Sequence, residues 1–313
     1  MNEVALGIDT SCYTTSVALA SAGRIVTCAR RLLSVPRGER GLRQSEAVYQ
    51  HVRALPELME EMMRSAGETR ISCVCASNAP RPREDSFMPV FASGASFARA
   101  IGAALHAPVY FTTHQQGHIR AALQDSGMPE GRFVALHLSG GTTQTLFCSE
   151  KLEIEELGGT SDLNAGQLVD RTGVHMGLDF PCGPEMEKLA RKGTAKSLLP
   201  VSRKNLECSF SGAEAQIKRL LDGGMKREDA AMEIYSFLSR SIAWLVVSAC
   251  RETGTPRALL AGGVASSLLL REELTRRVKK LDQDVRLYWG KPELSGDNAC
   301  GVALIGAGLH ERG

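Results

Sequence analysis

The chain opens on alternation. Residues 4–10 form a short apolar run ending in Asp-Thr-Ser, and residues 14–20 and 24–30 repeat the strand pattern, so the first thirty residues read as a three-strand meander. Apolar residues then switch to helical spacing over 44–65, carried by Val48, Val52, Leu55, Leu58, Met59 and Met62. A strand at 71–76, a small-residue helix at 90–105, a strand at 108–111 and a helix at 114–123 complete the series. The pattern then starts again. Strands at 133–138, 143–148 and 152–157 make a second meander, followed by helices at 164–174, 184–191 and 211–221 and a long one at 227–253. A strand at 257–261, a helix at 266–280, a strand at 285–289 and a helix at 298–309 close the chain.

The two openings lie over each other: Leu6-x-Ile8-x-x-Ser11-x-x-Thr14-Thr15 matches Val134-x-Leu136-x-x-Ser139-x-x-Thr142-Thr143. Strand alternation supplies part of that match, but the repeated order predicts two related α/β halves with a cleft between them. The boundary falls in the polar, Gly/Pro-containing stretch 124–132, giving lobes 1–126 and 127–313, with the last helix a candidate to pack back on the first lobe.

Composition changes this picture little. At 313 residues with 43% hydrophobic and 23% charged residues, the chain has the make-up of a globular protein of roughly two domains. The formal net charge of +2 means that any nucleic-acid surface is a local patch. Nine cysteines, an odd number with no C-x-x-C pair, read as reduced and mostly buried thiols, which points to the cytoplasm. The N-terminus reads as a strand and not as a signal peptide, and no membrane association is expected.

Five constellations could carry chemistry. His114-Gln-Gln-Gly-His118 places two imidazoles four apart on one helix face, the spacing that can hold one metal ion; two capping or surface histidines would look the same. Gln115 stands where a zincin-type peptidase needs a glutamate base, which argues against that class. Leu138-Ser-Gly-Gly-Thr-Thr-Gln144 is either an oxyanion cradle or a plain hairpin turn. Asp9, ending the first strand, is placed to act as a base or to hold a metal-bound water, or simply closes an Asx turn. Gly262-Gly263 before Ser266-Ser267 could seat a nucleotide at a helix start. Asp297 is an N-cap or the third ligand of a His-His-Asp site.

Taken together, Gly7-Ile-Asp-Thr-Ser11, His114-x-x-x-His118, Ser139-Gly-Gly-x-Thr-Gln144, Gly166-x-x-x-Asp170, Gly177-Leu-Asp-Phe-Pro-Cys-Gly-Pro184, Ser209-Phe-Ser-Gly212, Gly262-Gly-Val-Ala265 and Asp297-Asn-Ala299 resemble, in order and along nearly the whole chain, the tRNA adenosine threonylcarbamoyltransferase family. The resemblance implies an actin-like, Hsp70-type ATPase fold, a duplicated ribonuclease H-like α/β architecture of two lobes. It implies one Fe2+ or Zn2+ ion on His114, His118 and Asp297, and ATP or threonylcarbamoyl-AMP held by Leu138, Ser139, Gly140, Gly141, Thr142, Asp170, Gly183, Glu187 and Ser267. The implied reaction passes a threonylcarbamoyl group from threonylcarbamoyl-adenylate to N6 of a tRNA adenosine beside the anticodon. Gly140 and Gly141 N–H groups, with Ser139, would stabilise developing charge, and Asp9 would act as base or orienter at N6. Partners of the TsaB and TsaE type are expected.

The chain departs from the family pattern in places. Thr142 stands where the family usually has His, Ser267 where it usually has Asn, Asp162-Leu-Asn164 replaces an Asp pair, and Asn78-Ala-Pro-Arg-Pro-Arg83 replaces a Gly-Pro-Gly turn. A divergent paralogue transferring a carbamoyl or acyl group to another acceptor, or a weakly catalytic nucleotide-binding partner protein, is the alternative reading.

Overall fold

The computed structural model describes residues 2–35, 42–83 and 85–312. It divides into two compact units, Met1–Gln124 with Gly296–Gly313, and Asp125–Ser295. The last helix, counted within 127–313 by the sequence division, thus belongs to the first unit.

In the first unit, strands β1 (Asn2–Thr10), β2 (Thr14–Ser21), β3 (Arg24–Leu32), β4 (Thr69–Ala79) and β5 (Val109–Thr113) form one sheet in the order β3-β2-β1-β4-β5. The meander is antiparallel, and β4 and β5 add parallel to β1. Alternation along β1 sorts its two faces. Val4, Leu6 and Ile8 pack with Leu55, Leu58 and Met62 of helix α1 (Gln44–Ala66) and Ala98 of helix α2 (Pro89–Leu105). The odd positions face helix α9 (Cys300–His310), where Ala5 clusters with Cys73 and Ala307. Small residues are needed on that side: a Cβ at Gly7 would collide with the backbone of Ala299 and Ala303. Helix α3 (His114–Leu123) lies against α9, and a Cβ at Gly301 would meet the carbonyl of Gly117. Asp9, an odd position at the end of β1, therefore points to the α9 side.

The second unit repeats the plan. Strands β6 (Phe133–Leu138), β7 (Thr143–Cys148) and β8 (Ile154–Thr160) form the antiparallel meander. Strands β11 (Arg257–Ala261) and β12 (Arg286–Trp289) then add parallel to β6. The resulting order β12-β11-β6-β7-β8 is that of the first sheet, and two short strands, β9 (Ser202–Lys204) and β10 (Glu207–Ser209), extend it beyond β8. The sequence reading had left β9 and β10 out, since three-residue strands carry no countable period. The opening turns are also alike. Ser11 N–H donates to Thr14 O at 3.0 Å and Thr14 N–H to Ser11 Oγ at 3.1 Å, while Ser139 N–H donates to Thr142 O at 2.8 Å and Thr142 N–H to Ser139 Oγ at 3.0 Å. The weak Ser-x-x-Thr match between the halves is thus a repeated hydroxyl-closed turn.

Helices α4 (Ala165–His175), α5 (Gly183–Ala190), α6 (Ser211–Asp222), α7 (Arg227–Thr253) and α8 (Leu268–Leu281) complete this unit. Helix α7 is long and apolar enough by length and composition to cross a membrane, but 83% of its apolar window is buried, as in a core helix. Helix α8 starts two residues later than the sequence pattern indicates, because Gly263–Ser266 winds as a 3-10 turn before Ser267 caps it.

Candidate functional site

Helix α3 begins where its sequence says it should. Thr113 is the N-cap, and its side chain and that of Gln116 form a reciprocal capping box that fixes the first turn. His114 and His118 then project one turn apart, with ring centroids 4.4 Å apart at 81°. His118 Nε2 lies 3.1 Å from His114 Nε2 and 3.2 Å from Asp297 Oδ1, and His114 Nε2 lies 3.7 Å from the same oxygen. All three residues lie in the first unit. Ligand atoms bound at about 2.0–2.2 Å with angles between octahedral and tetrahedral stand roughly 2.8–3.6 Å apart. The observed spacing fits that range closely, so the donor set, two imidazoles and one carboxylate, fits a single divalent ion.

A layer of hydrogen bonds behind this triad fixes it. His114 Nδ1 is 2.9 and 3.1 Å from the two oxygens of Asp9, which is 1% exposed and also accepts from Ser77 Oγ. That bond leaves His114 Nε2 turned toward the other two ligands. Ser11 Oγ donates to the second oxygen of Asp297. Ser11 in turn is held by buried His51, whose Nε2 lies 2.9 Å from Ser11 O and whose Nδ1 lies 2.7 Å from Thr15 Oγ1. Burial lowers the His51 pKa, so its ring serves as a neutral strut. Burial opposes charge on His114 as well, but the adjacent Asp9 and Asp297 charges prevail and push it up to about 9. Burial also works against the Asp297 charge, yet the His118 hydrogen bond and the two imidazoles hold its carboxyl well below the usual range.

The geometry places Asp9 beneath the His114 imidazole. A carboxylate 1% exposed and engaged by Ser77 and His114 is a positioning residue behind the imidazole. Ser77, Ser11 and His51 had no motif of their own to announce them, although Ser11 stood inside the Gly7–Ser11 run. Gln115 is buried, and its N–H is tied to Pro80 O at 3.0 Å.

The remaining sequence-derived positions lie in the second unit. Leu138 is fully buried, packed in the core of the second unit and paired with Thr143 across the β6–β7 ladder. Ser139 closes its own turn, accepting from Gly141 N–H at 3.3 Å and Thr142 N–H at 3.0 Å; it serves as a turn former, and the Gly141 N–H is directed at Ser139. Gly140 lies against Gly166 at the start of α4, where a Cβ on Gly166 would meet Gly140 N at 2.7 Å. Gly166 N–H also donates to Ser139 O at 3.1 Å, which ties the cradle to that helix.

Asp170, Gly183, Glu187 and Ser267 are each fixed by a hydrogen bond around the starts of α5 and α8. Asp170 Oδ1 accepts from Cys182 N–H at 2.8 Å, and burial raises its pKa. Tyr235 Oη donates to Gly183 O at 3.3 Å. Glu187 accepts from Leu269 N–H at 2.9 Å and from Arg191 at 3.0 Å, while Ser267 Oγ caps Leu270 N–H at 3.2 Å.

Comparison with known proteins gives this arrangement its context. The family model described as TsaD, tRNA N6-adenosine threonylcarbamoyltransferase, matches residues 35–304. The enzyme of that name from Aromatoleum aromaticum is 32% identical, the alignment covering 96% of this chain and 90% of that one. The one from Thermus thermophilus is 31% identical over 98% and 93%. Among solved structures, full-length HypF superposes with a TM-score of 0.62 at 11% identity, covering 100% of this chain and 46% of that one. The activator of 2-hydroxyisocaproyl-CoA dehydratase from Clostridium difficile gives 0.56 at 16%, covering 99% and 96%. The fold is therefore actin-like, a mixed α/β architecture with two sheets. With sequence similarity over nearly its whole length and the His-His-Asp set in place, this chain belongs to the tRNA N6-adenosine threonylcarbamoyltransferase family of transferases.

Proposed function

We propose that this protein transfers a threonylcarbamoyl group from threonylcarbamoyl-adenylate to N6 of a tRNA adenosine, with one Fe2+ or Zn2+ ion held by His114, His118 and Asp297. The observation that carries the reading is the spacing of the three ligand atoms, 3.1 to 3.7 Å, in a chain of this family. Two nitrogens and one oxygen suit either ion and leave coordination positions open. When bound, the ion supplies Lewis acidity toward a carbonyl or phosphoryl oxygen. The chain's own residues do the rest. Asp9 holds the His114 ring by its Nδ1–H, and Ser77 fixes Asp9 in turn. Ser11 occupies one Asp297 oxygen so that the other is presented beside His118.

The nucleotide, as ATP or the adenylate, is assigned to the main chain of residues 138–142 with Asp170, Gly183, Glu187 and Ser267. What supports this is the tie between the cradle and α4 and the anchoring of Glu187 and Ser267 at the start of α8. A tRNA substrate places the reaction in the cytoplasm, with partner proteins of the TsaB and TsaE type.

The test is to give the purified protein threonylcarbamoyl-adenylate and unmodified tRNA, with and without such partners, and to digest the tRNA for nucleoside mass spectrometry. Threonylcarbamoylated adenosine that disappears with His118→Ala supports the reading. Consumption of the adenylate with unmodified tRNA in every arm would overturn the choice of acceptor.

A further inference from the structure

Away from these residues, the second unit holds a cavity of about 390 Å³ between α7, the C-terminal half of α8 and the segment at β9. It lies roughly 20 Å along α8 from Ser267, at ~1.5 Å rise per residue. Its floor is apolar, with Val201, Ala243 and Leu281, and Trp244 stands in one wall. Four cationic side chains complete the lining: Arg203, Arg240, Arg277 and Lys280.

Two of these guanidinium groups are pinned. Arg240 donates to Leu199 O at 2.7 Å and to Ser236 O at 3.4 Å. Arg277 donates to Ser239 Oγ at 2.8 Å and to Ser236 Oγ at 3.2 Å. These bonds use Nε and Nη2 of each group, with Arg277 Nη2 shared with Glu273, and hold two fixed cations in the lining of the cavity. Arg203 lies over the Trp244 ring at 5.5 Å, a stacked cationic wall. Two carboxylates stand behind the cations. Glu273 pairs with Arg277 at 3.4 Å and with Arg276 at 2.6 Å, and buried Glu233 lies near Arg240 while accepting from Leu198 N–H at 3.1 Å. Positive charge remains in excess. Burial, and then repulsion from Arg277, lower the Arg240 pKa, with Glu233 opposing.

Apolar side chains, an aromatic ring and four cations in one cavity match a ligand with a flat ring and a phosphate. We propose that this cavity binds a single unpaired nucleotide, its phosphate on Arg240 and Arg277 with Lys280 at the rim, and its base against the Trp244–Arg203 wall and the apolar floor. The nucleotide has two sources, a free mononucleotide or an unpaired residue of an RNA. The site differs from the nucleotide positions around Ser267 and does not depend on the transfer reaction.

The chain has two tryptophans, so Trp289→Phe leaves Trp244 as sole reporter. Its fluorescence would be followed on titrating AMP, adenosine, inorganic phosphate and a short single-stranded oligoadenylate. Saturable quenching by AMP or the oligonucleotide is expected, at least tenfold tighter than by adenosine or phosphate alone. The double variant Arg203→Ala/Lys280→Ala, at exposed positions, should weaken it at least tenfold. Arg277→Gln, which removes one of the two fixed cations, should weaken AMP binding at least tenfold while leaving the affinity for adenosine unchanged. Tighter binding of the oligonucleotide identifies RNA as the source, and tighter binding of AMP identifies the free nucleotide. The proposal fails if no ligand quenches Trp244, if adenosine binds as well as AMP, if phosphate alone binds as well, or if the double variant binds as the parent does.

Discussion

Replacing Asp9 by Asn tests how the ion site is built. Asn keeps the shape and can still accept from the His114 Nδ1–H, so the change removes mainly charge. Two opposed consequences follow. Loss of the charged partner weakens a ligand imidazole, and such replacements cost about 10–100-fold in metal affinity; the low end, about 1.4 kcal/mol, applies where a neutral acceptor remains. The same charge, however, helps to hold a proton on His114, whose pKa is raised from 6.5 to about 9. At about pH 7.5 an ion must displace that proton, at a cost of roughly 2 kcal/mol for a gap of ~1.5 pH units. Removing the charge relieves most of that cost. The two effects nearly cancel near neutrality and separate in alkali, where His114 is neutral in both proteins. In the wild type, affinity should therefore climb about tenfold per pH unit until about pH 9. In Asp9→Asn it should flatten near the ordinary histidine range, leaving the variant about tenfold weaker at about pH 9.5. Competition with a chromophoric zinc chelator across this range measures both curves. Parallel curves would refute the reasoning. A loss at every pH as deep as that of His114→Ala would mean that Asp9 is itself a ligand.

Gly301→Ala should push α9 away from α3, because the new Cβ meets the Gly117 carbonyl, and so separate Asp297 from the two histidines; metal affinity and melting temperature should both fall, whereas Gly308→Ala, facing only the flexible Arg312 side chain, should leave both unchanged. Asp162 accepts from Phe210 N–H at 2.8 Å and Ser211 N–H at 3.1 Å at the start of α6, so Asp162→Ala should cost about 1–2 kcal/mol in urea unfolding, a typical cap loss. These bonds outweigh burial and hold its carboxyl well below the usual range, so the stability it adds is complete above the unfolded aspartate pKa and is lost only as pH falls through the lower folded value. Cys28 is exposed, and its thiol is pulled down to about 6 by a hydrogen bond from Cys300, with burial opposing and Arg30 assisting. It should be the first of the nine cysteines to react with iodoacetamide at neutral pH, and Cys300→Ala should slow it; peptide mapping that finds another cysteine first would contradict the assignment.

Most of the architecture was legible in the sequence because it rests on local pattern. Alternation in β1 and β6 and the helical period in α1 and α7 set the elements, and the repeat of the meander set the duplication. The spacing of His114 and His118 was equally local, since one helical turn brings both rings to one face. What the sequence could not supply was distance between segments far apart in the chain. Asp297 meets His118 only because Gly7, Gly301 and Gly306 let α9 press against the first sheet and α3. That Asp9 supports His114 also lay outside the sequence, because the end of β1 is buried beneath that imidazole, and burial is a property of everything packed around a residue. So did the part of Ser139 as the acceptor that closes its own turn. Residue type and period fix which chemistry a side chain can perform; only the packed fold fixes which neighbour claims its hydrogen bonds first.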